Sequence, residues 1–175
     1  MALSSPVDDH RVLGRAEVII GCAFLIVAGG LSPADAIIGL FFVTPLLTAV
    51  LYFGVFRRVA RTAVRHAPPA PPGELRPRGA YLRRLRVPLA LQVLVFVFFT
   101  ATARAPGLLG GIALGVGLAF LLTARWLEQW ENANEAGLLR EVRRRGRGKD
   151  GSGARGGYYV AGSGKTRLRA DAKRA

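Results

Sequence analysis

The residues best suited to chemistry form the stretch GSGKT at residues 162–166. It matches the second half of a phosphate-binding loop, in which backbone amides hold phosphates and the lysine reaches the terminal ones. The first half of the motif is missing, because Tyr159 stands where its first glycine is required. The flanking strand and long helix of such loops are also missing, so we interpret the stretch as a chance match.

The other reactive side chains are too few to build a catalytic or metal site. The chain of 175 residues has one cysteine, Cys22, and two histidines, His10 and His66. Cys22 lies among apolar neighbours, both histidines lie outside the apolar runs, and no Ser/His/Asp or Cys/His set can be assembled. We therefore expect a non-enzymatic protein without catalytic residues, metal or cofactor.

Two acids, Glu17 and Asp35, lie within apolar sequence and raise the question of transport, because intramembrane acids mark ion paths. Both lie at predicted helix starts, where capping and the helix dipole also explain an acid. The third apolar run carries Gln92 but no charge. Since no chain of charged groups crosses the apolar runs, the sequence argues against an ion pump.

Basic residues dominate the polar part of the chain, whose formal net charge is +14 although 51% of its residues are hydrophobic. One basic set flanks the second and third apolar runs. Such clusters either fix membrane topology or bind anionic headgroups with about 1 kcal/mol per cation. The candidate anionic-lipid contacts are Arg57, Arg58, Arg61, Arg65, Arg83, Arg84 and Arg86.

A second basic set fills the glycine-rich end of the chain. Residues 140–175 hold twelve Lys and Arg against three Asp and Glu, a net charge of +9. RGG at residues 155–157, followed by two tyrosines, is typical of segments that bind nucleic acid through phosphate contacts and stacking, with strong salt dependence. The candidate nucleic-acid contacts are Arg143, Arg144, Arg145, Arg147, Lys149, Arg155, Lys165, Arg167 and Arg169.

Four apolar runs account for the hydrophobic half of the chain, at residues 16–31, 34–56, 87–103 and 107–124. A membrane-spanning helix needs about 20 apolar residues, which the second run supplies and the others reach with flanking residues. We predict an all-α membrane protein with four transmembrane helices arranged as two tight hairpins.

Short turns join these runs in pairs. Gly29 and Gly30 predict the end of the first helix, and SPAD at residues 32–35 predicts the start of the second with Ser32 as its N-cap. RAPG at residues 104–107 predicts a similar turn between the third and fourth runs. Pro45 predicts a kink within the second run.

The distribution of charge predicts the orientation. Of the 25 Lys and Arg residues, 24 precede the first run, lie between the second and third, or follow the fourth, and Arg104 lies in a turn. Because Lys- and Arg-rich segments stay in the cytoplasm, we predict a multi-pass protein of the cell (inner) membrane with both termini cytoplasmic.

The fourth run predicts close packing and an interface. Gly111, Gly115 and Ala119 are spaced four apart, which favours tight helix packing within the bundle or between subunits. Trp126 and Trp130 follow on one helix face, as in an aromatic belt. The predicted organisation is a cytoplasmic N-terminus at 1–15, hairpins at 16–56 and 87–124, a basic proline-rich loop at 57–86, a cytoplasmic helix at 125–145 and a disordered basic tail at 146–175.

With four short spans, a basic inner face and the basic stretch at residues 140–173, the chain resembles the small membrane proteins that plasmids of mycelial actinomycetes encode for plasmid spread. The resemblance implies an accessory role in plasmid and DNA transfer, with DNA or a DNA-translocation protein as partner. Two alternatives stay open. One is a structural or regulatory membrane protein that contacts only anionic lipid, and the other is a small homo-oligomeric transporter or pore.

Overall fold

The computed structural model describes residues 2–70, 74–75, 79–103, 106–141 and 158–161, and most of them are helical. Three of the helices are long and apolar enough to cross a membrane, and a fourth contains a shorter apolar stretch at Val87–Thr102. The helices are α1 (Pro6–Leu31), α2 (Pro33–Arg65), α3 (Gly79–Ala103) and α4 (Pro106–Ala133), of which α3 carries the shorter stretch.

α1 begins ten residues before the first apolar run. Ser5 is its N-cap and accepts a hydrogen bond of 3.4 Å from the Asp8 N–H, while Pro6 takes the first helical position. This early start places Glu17 well inside the helix. The explanation of Glu17 as an acid at a helix start is therefore wrong.

A single extended residue, Ser32 (φ −153°, ψ 93°), separates α1 from α2. Its N–H donates to the Ala28 carbonyl at 2.7 Å, and α1 passes through Gly29 and Gly30 without ending. The helix stop predicted at these glycines therefore falls one residue later, at Leu31. Pro33 sets the break instead, because a residue before proline is driven from the helical to the extended region.

α2 is wound more loosely than a regular α-helix over part of its length. It has π-helical turns at Gly39–Val43 and Val50–Phe56, and in the first of them the Thr44 N–H donates to the Gly39 carbonyl five residues back. Pro45, which has no N–H to donate, follows this turn directly. The predicted disturbance near Pro45 therefore takes the form of a π-helical turn.

α4 ends at Ala133, so the helix predicted to reach about Arg145 is wrong. The chain turns at Asn134 and Glu135, the latter with a φ of 48°, and then enters a strand. The side chain of Glu131 accepts a hydrogen bond of 2.7 Å from the Leu138 N–H and ties this strand to the last turns of α4.

Four short strands form one sheet at a single end of the helices, which corrects the all-α prediction. Their order is β2-β1-β3-β4, with β1 parallel to β2 and the other two pairs antiparallel. The strands are β1 (Ala2–Ser4), β2 (Glu74–Leu75), β3 (Gly137–Glu141) and β4 (Tyr158–Ala161). The predicted disordered tail is thus wrong at β4, and residues 146–157 and 162–175 lie outside the described residues.

The basic loop also reaches this sheet. The N–H of Ala70 donates to the Val160 carbonyl, and the N–H of Val160 donates to the Pro68 carbonyl, each at 2.9 Å. The start of the proline-rich linker is therefore paired with β4. Segments from the N-terminus, the central loop and the two stretches after α4 meet in one layer.

α4 is the central helix of the fold. Half of its most apolar window is buried, against 11% for α2, and it packs along most of α1. α3 makes few contacts with the other helices, and its large apolar side chains are exposed, with Val87 at 76% and Leu94 at 65%. The core therefore runs along α4, and much of α2 and α3 presents apolar surface outward.

Candidate functional site: a cationic and aromatic cleft

Close packing of α4 against α2 at glycine residues positions the candidate site. A Cβ at Gly111 would collide with the backbone of Gly39, and one at Gly115 would lie 3.0 Å from the Thr44 carbonyl oxygen. Backbones approach this closely only where side chains are absent. Ala119, the third predicted packing residue, is fully buried.

Two threonines reinforce the same contact. The hydroxyl of Thr44 donates to the Gly111 carbonyl at 3.2 Å, and that of Thr48 donates to the Gly115 carbonyl at 3.2 Å. Each hydroxyl is shared with a carbonyl of its own helix. Because the later threonine meets the later glycine, α2 and α4 run in the same direction. The sequence signal for this contact is a pair of threonines four residues apart on one helix and a pair of glycines four residues apart on the other.

A second glycine face joins α4 to α1. A Cβ at Gly14 would lie 2.9 Å from the Gly117 carbonyl oxygen, and one at Gly21 would lie 2.8 Å from the Gly110 carbonyl oxygen. The order is reversed along the two helices, so α1 runs antiparallel to α4. The shared seven-residue spacing of both glycine pairs could have predicted this contact.

Two acidic side chains add hydrogen bonds between helices, one more between α2 and α4 and one between α1 and α3. The Asp35 carboxylate accepts a hydrogen bond of 2.6 Å from the Gly107 N–H. Glu17 is 6% exposed, and its carboxylate accepts a hydrogen bond of 2.8 Å from the Gln92 side-chain amide of α3. Both acids thus have a described structural partner, and the arrangement explains them without an ion path.

At the sheet end, an apolar cluster fixes the last turns of α2 against α4. Leu127 of α4 is completely buried, and Leu138 of β3 is 1% exposed. Trp126 and Trp130 pack against the cluster from the side. The buried members of the cluster are Val7, Ala60, Val64, Leu127 and Leu138.

Beside this cluster lies a cleft of about 340 Å³ lined by two arginines and two tryptophans. Arg61 and Arg65 come from α2, and Trp126 and Trp130 come from α4. Each pair is four residues apart, so each occupies one face of its helix. Since the two helices are parallel, the cationic pair faces the aromatic pair at the same level. Val64 completes the lining.

The charge in this cleft is not neutralised by the described residues. Arg61 and Arg65 are both exposed, and within the part of the chain that the structure describes neither has a carboxylate partner. By contrast, Arg11 of α1 forms an ion pair with Glu128 of α4. Arg57, one turn earlier on α2, lies over Phe53 with its guanidinium carbon 5.9 Å from the ring centroid. Other described arginines are exposed as well, so the cleft is distinguished by the placing of two unpaired arginines beside two tryptophans.

The other predicted site residues are distributed as follows. Arg58 is exposed on α2 and does not line the cleft. Arg83, Arg84 and Arg86 belong to α3, but their side chains lie outside the described part of the structure. The candidate nucleic-acid contacts and the GSGKT stretch at residues 162–166 lie outside the described residues altogether.

Comparison of the chain with protein-family profiles, with characterised proteins and with solved structures finds no match.

Proposed function

We propose that the chain is a non-enzymatic, four-span protein of the cell membrane that holds a basic platform on the cytoplasmic side. The observation that carries the proposal is the sheet, in which segments from residues 2–4, 68–70, 74–75, 137–141 and 158–161 are joined. A chain that returns to the same end after every two helices must cross an even number of times.

Helix directions and exposed surface support this arrangement. The glycine contacts make α2 and α4 parallel and α1 antiparallel to them, as alternating passes require. The exposed apolar side chains of α2 and α3 suit lipid rather than water. The apolar stretch Val87–Thr102 measures about 24 Å at 1.5 Å per residue, against the roughly 30 Å of a hydrocarbon core.

The cytoplasmic side follows from charge. Along the sequence, 24 of the 25 Lys and Arg residues precede the first apolar run, lie between the second and third, or follow the fourth, and such segments are retained inside. Reporter fusions at Ala70 and Ala175 test this topology, and we expect both to be cytoplasmic. A cysteine introduced for Leu31 in a Cys22→Ala background should react with a membrane-impermeant maleimide from outside. An outward reporter at either fusion point would contradict the proposal.

A second candidate function, an accessory role in plasmid and DNA transfer, is favoured by the pairing of β4 with β3. This pairing would tether the basic stretch on either side of β4 to the platform, where it could hold DNA or a DNA-translocation protein. We expect the full chain in neutral nanodiscs to retard duplex DNA at about 50 mM salt, where phosphate contacts are strong. Replacement of Lys165, Arg167 and Arg169 by glutamine should weaken the binding, while the same change at Arg58 should not. Absence of retardation would leave contact with lipid as the role of these cations.

A further inference from the structure

We propose that the cleft formed by Arg61, Arg65, Trp126 and Trp130 binds the phosphate of an anionic glycerophosphate group, one group for each chain. The proposal rests on the membrane placement argued above and identifies a ligand for one site on it. The guanidinium group is planar and offers paired N–H donors that match phosphate oxygens. The indole N–H is a further donor, and the indole ring is favoured at the level of lipid headgroups.

The position of the cleft along α2 fits a headgroup. Arg61 follows Phe56, the last residue of the apolar run, by five residues, which is about 7.5 Å along a helix. The headgroup layer on one side of a bilayer is about 5–7 Å thick. Arg61 therefore lies at the outer edge of this layer, and its long side chain can reach back towards the phosphates. Trp126 comes two residues after the end of the fourth apolar run.

The charge of the cleft restricts its occupant. The cleft is open at the surface, so a phosphate and its glycerol can lie against its lining while acyl chains stay outside. The remainder of the chain is a poor occupant, because residues 142–175 carry eleven Lys and Arg against two Asp. Two uncompensated arginines would repel that segment and attract an anion.

Both tryptophans of the chain line the cleft, so tryptophan fluorescence excited at a wavelength that tyrosine does not absorb reports on this site. We would place the full-length protein in nanodiscs of phosphatidylcholine with increasing phosphatidylglycerol and follow Trp emission. We expect a saturable change in emission, and Arg61→Gln and Arg65→Gln should each raise the half-saturating fraction about fivefold. Arg58→Gln removes one charge from the same helix outside the cleft and should change it less than twofold.

The source of the phosphate is tested in parallel by adding soluble glycerol phosphate to phosphatidylcholine nanodiscs. A saturable change that Arg61→Gln weakens would identify soluble glycerol phosphate as a ligand, and its absence beside a response to phosphatidylglycerol would identify lipid. Equal effects of Arg58→Gln and Arg61→Gln would overturn the proposal, since attraction would then be diffuse. Saturation by duplex DNA in place of lipid, or no change with any probe, would also overturn it. The reporter fusions at Ala70 and Ala175 do not depend on the cleft, so its failure would leave the topology intact.

Discussion

The carboxylate of Asp35, in the first turn of α2, accepts a hydrogen bond of 2.6 Å from the backbone N–H of Gly107, in the first turn of α4. The first N–H groups of a helix have no partner within it, and a negative charge there is favoured by the helix dipole. Asp35 therefore acts as a cap for a helix that begins 71 residues after it. The bond ties together the ends of α2 and α4 that lie farthest from the sheet.

Replacing Asp35 by alanine should lower the free energy of unfolding by about 1 kcal/mol, the usual effect of losing a cap. Reversible unfolding in detergent micelles measures the change. Ser32→Ala is the matched control, because Ser32 makes no side-chain cap bond and should be within about 0.5 kcal/mol of the wild type. Equal effects of the two substitutions would argue against the Asp35 bond.

Gly111→Ala should destabilise the protein by about 1–3 kcal/mol, because the new methyl group would meet the backbone of Gly39 and force α2 and α4 apart. Gly54 has open space around it, so Gly54→Ala should leave stability unchanged or raise it. Thermal unfolding of both variants in the same micelles gives the comparison. A Gly111 variant as stable as the Gly54 variant would contradict the close approach of the two helices.

Gln92→Leu should cost about 1–3 kcal/mol, since it leaves the buried carboxylate of Glu17 without its donor. Glu17→Gln keeps a hydrogen-bonding partner for Gln92 and should cost less. Disulfide cross-linking between cysteines placed on α1 and α3 would report on the docking of α3. Thr102→Val is the control, because the Thr102 hydroxyl is exposed and donates to a carbonyl of its own helix. Unchanged cross-linking and stability in Gln92→Leu would show that this bond does not hold α3.

Leu138→Ala should cost about 2–5 kcal/mol at the sheet end, because Leu138 is only 1% exposed and fills the apolar cluster around Leu127. Hydrogen exchange should accelerate in β3 and β4 and stay slow in the middle of α4. Leu122→Ala removes the same atoms from a site that is 39% exposed, and should cost less. Fast exchange in β3 of the wild-type protein would contradict the sheet.

The sequence predicted the helices better than it predicted their ends. Long apolar runs indicate helices by their composition alone. The start of α2 at Pro33 also agrees with the prediction from SPAD at residues 32–35. The end of α4 was missed because the basic residues after Leu139 suggested a helix C-terminus, whereas hydrogen bonds from β1 and β4 draw this segment into a sheet. The sequence of such a short strand contains little information about its pairing with a distant segment.

The sequence indicates each of the two residue pairs that line the cleft, but it does not indicate that the two pairs lie next to each other. Helical spacing places Arg61 and Arg65 in one basic cluster. The same spacing places Trp126 and Trp130 in a separate aromatic cluster. Their juxtaposition depends on parallel packing of α2 on α4, which the contacts of Gly111 and its neighbours determine. Small residues indicate that another helix can approach closely, but they do not indicate which helix it is.

The order of the strands also bears on how the protein is made. β1 is synthesised before the other three strands, yet it lies between β2 and β3. β3 also pairs with β4, which is synthesised last of the four. The ribosome has therefore translated all four helices before the second partner of the first strand exists. Insertion of the helices and completion of the sheet are separate events in time, and the residues at the start of the chain remain unpaired on one side until the last helix has left the ribosome.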